Sequence, residues 1–277
     1  MTPGVLAALL VVGLLVGFVS GLIGIGGGVL IVPFLYFFYA HPEWAGIHML
    51  PGLEATVAHA TSLAVILPTG LAAAAAHHRS GLVAWRAALP IAGVAVVAAF
   101  AGAHFATLLP AEVLKTLFGL LLIGSGANLA RSSVGHAREE LHLTAPVVIA
   151  TGTSIGLLSA LLGVGGGIIA IPMLVYVVGL DMRRVAATSI AIVALTAASG
   201  TIAYGLAGVG VPGRPDGSIG YIHLVAALPI LIASLFTVRL GAYVNQRMRT
   251  RHLRLLFAVL FVLLGLRLLI ENAGKLF

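Results

Sequence analysis

Two stretches of this chain carry residues whose types and spacing suit chemistry in an apolar setting. One holds Ser20, Gly26, Gly27, Gly28 and Pro33; the other holds Ser159, Gly165, Gly166, Gly167 and Pro172. The order serine, glycine run, proline is shared, and each residue lies 139 positions from its counterpart. A triple glycine weakens a helix and uncovers backbone N–H groups, which lipid tolerates only where protein or water satisfies them. The short helix after each run would aim its positive N-terminal end at an anion. Hydroxyls are the second kind of donor. Ser20, Ser159 and the pairs Thr61-Ser62 and Thr188-Ser189 are neutral groups that would hold an oxyanion and still release it. The six glycines and six hydroxyl residues are the expected substrate shell. The plainer alternatives are glycines that let helices pack closely and hydroxyls that bond back to their own helix.

Pro33 and Pro172 each remove a donor inside a short helix and are expected to kink it or serve as a gate beside the site. His59 precedes Thr61-Ser62 by two residues. It is the candidate for proton coupling, against the plainer role of a neutral imidazole bonded to a neighbouring helix. His77, His78 and Arg79 form an end-of-span cluster that reads as an interfacial anchor. No carboxylate falls near the middle of an apolar segment, Glu54 at a segment edge being the nearest, so the substrate reads as an anion and not a cation. Gly24 to Gly28 imitate a dinucleotide fingerprint, but an apolar span offers no strand-helix-strand context. The ten histidines lack paired metal-ligand spacing and there is no cysteine. No cofactor and no metal are expected.

Ten apolar segments must position these residues: about 4-24, 28-40, 55-76, 87-107, 112-130, 145-163, 166-180, 185-207, 221-241 and 252-271. The second and seventh reach only about 20 Å as helix, short of a hydrocarbon core of roughly 30 Å. The repeat runs through all of them. Leu89-Pro90-Ile91 answers Leu228-Pro229-Ile230 at the offset of 139, whereas Thr61-Ser62 answers Thr188-Ser189 at 127, because the two halves carry their longer loop in different places. Residues 1–135 are the expected first repeat and 143–277 the second, joined by a cytoplasmic linker over 131–142.

With 60% hydrophobic and 8% charged residues, the chain has too little polar surface for a water-soluble globule of 277 residues. The apolar runs are of helical length, which excludes barrel strands. The start, MTPGVLAALL, has no positive residue, so a cleaved signal peptide is not expected. The net charge of +7 sits in short loops, which points to topology and not to nucleic acid.

If each glycine break is a turn, one side receives Arg79, Arg86, Arg131, Arg138, Arg183, Arg184, Arg247, Arg249, Arg251 and Arg254, and the other only Lys115, Arg214 and Lys275. The positive-inside rule then favours hairpins with both termini outside the cytoplasm. An odd number of segments per half also makes the halves inverted. The expected fold is an all-α integral membrane protein of two inverted five-segment repeats with glycine-broken hairpins, eight full spans plus two short half-helices. Inverted repeats with interrupted helices are a secondary-transporter architecture whose substrate sits near the midplane.

Through SGLIGIGGGVLIVP at 20-33, SALLGVGGGIIAIP at 159-172 and the Thr61-Ser62 and Thr188-Ser189 stretches, the chain resembles the sulfite exporter TauE/SafE family over nearly its whole length. The resemblance implies transport of sulfite, organosulfonates or related sulfur-containing anions across the cytoplasmic membrane, driven by an ion gradient. The expected protein is a non-enzymatic alternating-access carrier. Its partners would be a small anion, the lipid bilayer, H+ as coupling ion and a second copy of the chain in a homo-oligomer. The alternatives are a channel or a carrier of another small solute, and an intramembrane enzyme using His59 and His104.

Overall fold

The computed structural model describes residues 2–131, 141–245, 258–259 and 261–271. Most of the expected linker 131–142, and part of the expected segment 252-271, lie outside the described residues.

In chain order the elements are α1 (Pro3–Ile23), α2 (Gly28–Ala40), a single turn α3 (Pro42–Ala45), α4 (Glu54–Arg79), α5 (Trp85–Leu108), α6 (Ala111–Arg131), α7 (Ala145–Leu161), α8 (Gly167–Pro172) and α9 (Met182–Ala207). A two-stranded hairpin follows, β1 (Ser218–Ile219) with β2 (Ile222–His223), then α10 (Leu224–Asn245). Residues 261–271 form a last helix. The first nine segments foreseen from hydropathy are present within a few residues, and the described part of the tenth is helical, but α3 and the hairpin are too short and too polar to leave a periodic signal.

Among the described residues five helices, α1, α4, α5, α9 and α10, are long and apolar enough to cross a membrane. α7 has 17 residues, about 25 Å, and ends where the second glycine turn begins. Eight full spans were expected; among the described residues α6, α7 and the last helix do not join these five.

Local sequence explains the ends. Pro3 occupies the first turn of α1 and Val5 N–H donates to Thr2 Oγ1 at 3.4 Å. Glu54 opens α4 and Arg79 closes it, each sign matched to the helix dipole.

The halves interleave. α1 runs parallel to α10 with Gly13 on Ile230, Gly17 on Ser234 and Gly21 on Val238. α7 runs parallel to α5 with Gly152 on Ile91 and Gly156 on Ala95, which is the same set of contacts moved by 139 residues. Each half therefore seats its first helix on the fourth helix of the other half. A Cβ at Gly17 or Gly156 would come within 2.1 Å of a carbonyl oxygen on the partner helix, so these packings require glycine. At the centre α4 and α9 cross antiparallel, Gly70 on Ala194 and Gly200 on Leu63. Gly119 meets Gly265 and Gly126 meets Ala258, again one contact and its shifted copy.

The interior is filled by alanine and branched aliphatics such as Ile31, Leu63, Ile66, Ile190 and Val193. α1, α5 and α10 turn Leu15, Val97, Phe105, Ile232 and Phe236 outward. An apolar surface of that extent belongs to a chain surrounded by lipid.

Candidate functional site

The two glycine turns meet between α4 and α9. Each contains three left-handed residues, Gly24, Gly26 and Gly27 in the first, Gly163, Gly165 and Gly166 in the second, with φ between +65° and +91°. Side chains rarely adopt that backbone, so the glycine runs are dictated by the turn itself. The turns touch reciprocally: a Cβ at Gly28 would lie 2.6 Å from Val164 Cα, and one at Gly167 2.4 Å from Ile25 Cα. Gly26 and Gly165 both face the same two side chains, Ile66 of α4 and Val193 of α9.

Beyond each turn a helix starts with open donors. Leu30 and Ile31 N–H return to Gly27 O, and Ile169 and Ala170 N–H to Gly166 O. Among the described residues none accepts from the amides of Gly26, Gly27, Gly28 and Val29, or of Gly165, Gly166, Gly167 and Ile168. These are the orphan donors of a helix N-terminus placed deep in the molecule. Ser20 stands beside Gly27, and Ser159 beside Gly166, their Cβ atoms 3.6 and 3.0 Å from where a glycine Cβ would lie. Ser20 Oγ is fully buried with no partner among the described residues, whereas Ser159 Oγ donates weakly to Thr196 Oγ1 at 3.4 Å.

The threonine-serine pairs do something the sequence did not show. Ser62 donates to Gly163 O at 2.7 Å and Ser189 to Gly24 O at 3.0 Å, so each serine holds the glycine turn of the opposite half. Thr61 Oγ1 accepts from His223 N–H and Thr188 Oγ1 from Ala84 N–H, both at 3.0 Å. Those amides open α10 and α5, the helices exchanged between the halves. The hydroxyls bond neither back to their own helix nor outward; they tie one half to the other.

The carbonyls that end α1 and α7 are also satisfied. Gly21 O accepts from His77 Nε2 at 3.2 Å and Ala160 O from Tyr204 Oη at 2.9 Å, a matched pair again. His77 was expected at the interface. It is buried, because a helix ending inside an apolar body needs a donor for its last carbonyls.

His59 is buried, its Nε2 2.5 Å from Tyr36 Oη, and its backbone abuts Gly163. Pro33 lies inside a continuous α2. Pro172 ends α8, and the chain widens into one turn of π-helix over Met173–Val177. Tyr36, Ile66, Val193, Thr196 and Tyr204 were missed; extending the 127-residue offset from Thr61-Ser62 pairs Ile66 with Val193 and His77 with Tyr204 and would have exposed three of them. No group of three metal-ligating side chains occurs among the described residues.

The family model for Sulfite exporter TauE/SafE matches residues 9–268. The chain belongs to the TauE/SafE family. Two relatives named "Probable membrane transporter protein", from Haemophilus influenzae and Methanocaldococcus jannaschii, are each 30% identical to it. The first alignment covers 95% of this chain and 97% of the relative, and the second 96% of each. The relative YunE of Bacillus subtilis is 25% identical over 95% of this chain and 97% of its own length. No solved structure matches. With its apolar helices, this TauE/SafE member is a multi-pass membrane transporter, and neither the family nor its relatives' names indicate a catalytic activity.

Proposed function

We propose that this protein is a secondary-active carrier that moves a small sulfur-containing oxyanion, sulfite or an organosulfonate, across the cytoplasmic membrane by alternating access. The observation that carries the reading is the crossing of two buried helix N-termini whose amides have no acceptor among the described residues, next to Ser20 Oγ, which has none there either. Neutral donors and helix dipoles attract an anion without the tight hold of a lysine. The family name supports sulfur-containing anions as the class. Gly26, Gly27, Gly28, Gly165, Gly166, Gly167, Ser20 and Ser159 form the inner shell in this reading, with Ser62, Ser189, Thr61 and Thr188 holding its frame and Pro33 and Pro172 flanking it.

The antiparallel crossing of α4 and α9 supports an inverted pair of repeats, with the arginine-rich ends in the cytoplasm and both termini outside. Because the halves are interleaved, the bodies that rock are mixed: α1, α2 and α4 move with α10, and α7, α8 and α9 move with α5. His59 is the proton-coupling residue of this reading.

The test is anion-evoked current in proteoliposomes, with sulfite, sulfoacetate, taurine, sulfate and alkali cations tried in turn, with and without a pH gradient. Leucine at Gly27, where φ is +76° and a Cβ would lie 2.7 Å from Val16 Cγ1, should abolish a saturable oxyanion current in folded protein. An unchanged current in that variant, or a response to cations alone, overturns the site.

A further inference from the structure

Two cavities meet at one short helix. The larger, about 600 Å³, is lined by Leu30, Phe34, Phe37, Lys115 and Arg267 among others, and the smaller, about 350 Å³, by Tyr39, Met49, Glu54 and Lys115. Tyr36, Ala40 and Lys115 line both. Tyr36 itself is only 6% exposed: its ring stacks edge-on to Phe118 and its hydroxyl reaches inward to Nε2 of buried His59. The His59 backbone rests on Gly163 of the second glycine turn. Tyr36 therefore separates the cavities from the buried centre. The equivalent positions in the other half hold Val175 for Tyr36 and Ala186 for His59, which cannot form this bond.

Charge singles out the larger cavity. Arg267 Nε pairs with Glu271 Oε1 at 2.6 Å, which neutralises that pair. Lys115 Nζ sits 5.8 Å from the Tyr36 ring centroid, and no carboxylate among the described residues pairs with it. Glu54 offsets Lys115 in the smaller cavity but lines no part of the larger one. Among the described residues the larger cavity thus keeps one positive charge beside an aromatic and aliphatic wall, a setting for a small oxyanion with an apolar portion.

We infer that this cavity is an anion-collecting site centred on Lys115, and that Tyr36, held by His59, is the gate between it and the crossed glycine turns. The inference rests on the transporter reading above for what passes the gate. Its test uses thiol labelling, which the cysteine-free chain allows without background. Full-length Ala40→Cys in vesicles is treated with membrane-impermeant methanethiosulfonates bearing a sulfonate or a trimethylammonium group. The sulfonate should react at least about tenfold faster, after correction for intrinsic reactivity, and Lys115→Gln should remove that preference. Ile66→Cys, beside Gly26 and Gly165, should resist labelling and become reactive when combined with Tyr36→Ala. If Tyr36→Ala does not fold, Tyr36→Phe, which loses only the bond to His59, should raise the rate by about fivefold. Equal rates for both reagents, or no effect of Lys115→Gln, overturn the collecting site. An Ile66→Cys rate that Tyr36→Ala and Tyr36→Phe leave unchanged overturns the gate. Labelling does not depend on transport: labelling as expected with no anion current refutes the carrier reading and leaves the gate standing.

Discussion

The two glycine turns have the same backbone and unlike surroundings. Gly24 to Gly28 and Gly163 to Gly167 share left-handed positions, reciprocal contact, a neighbouring serine and a serine donor from the opposite half. What lies beyond them differs. After the first turn α2 runs for 13 residues, through Pro33 to Ala40, and carries Tyr36 and Tyr39 to polar partners; after the second, α8 ends at Pro172, and valines stand in the tyrosine positions. The shared features are what a crossing of two broken helices requires in an apolar medium, where every carbonyl and amide needs a partner or a ligand. The unshared ones make one side of the crossing polar and leave the other apolar. Repeated turns with unlike flanks let one protein treat the two sides of the crossing differently.

The largest test of that comparison is at the contact itself. Alanine at Gly28 or at Gly167 would drive a Cβ to 2.6 or 2.4 Å from backbone, and each should cost about 3 kcal/mol or more of stability. Thermal unfolding in detergent checks both; tolerance at one turn alone would show that the contact is not shared.

Next come the serines. Ser62→Ala and Ser189→Ala each strand a buried carbonyl and should destabilise by about 2 kcal/mol, equally for the two halves. Unequal losses in the same melting assay would sharpen the comparison by showing which turn depends on its latch.

A smaller effect is expected from pH. Burial pushes the His223 imidazole, ahead of α10, down to about 4, with Asp216 working the other way. A folded value below the ordinary 6.5 means that His223 favours folding fully above pH 6.5 and progressively less as pH falls toward 4, about 1 kcal/mol by pH 5.5. The matching residue is Ala84, so His223→Ala should remove this slope from stability measured against pH.

The smallest difference separates two threonines. Thr69 Oγ1 donates within its own helix to Val65 O at 2.7 Å, but Thr196 Oγ1 also lies 3.3 Å from Gly165 O. Thr196→Val should lower the melting temperature by a degree or two, corresponding to about 0.5 kcal/mol, and Thr69→Val by less.

Much of this was legible in the residues. The apolar runs placed the helices within a few residues, and the repeated glycine run placed both turns, because hydropathy and left-handed backbone are local demands. The partners of the hydroxyls were not legible. Ser62 looked like a donor for a ligand or for its own helix, and its acceptor turned out to be Gly163, 101 residues away. His77 sat at the end of a hydropathy window and looked interfacial, yet it is spent on the carbonyl of Gly21. His59 read as a proton carrier or as an imidazole bonded to a neighbouring helix, but its partner was not legible, because Tyr36, on another helix, left no mark in the spacing around it.

By itself the sequence determined that the chain lives in a membrane, that it is built of one unit used twice, and that each unit breaks at a glycine run, since composition, self-similarity and backbone sterics act along the chain. Only the tertiary structure decided that the first helix of each half packs on the fourth of the other, that the serines and threonines bind the halves together, and that Tyr36 meets His59 beside the second turn. Those outcomes depend on which buried carbonyl finds which donor, and in a medium without water that matching is made between helices.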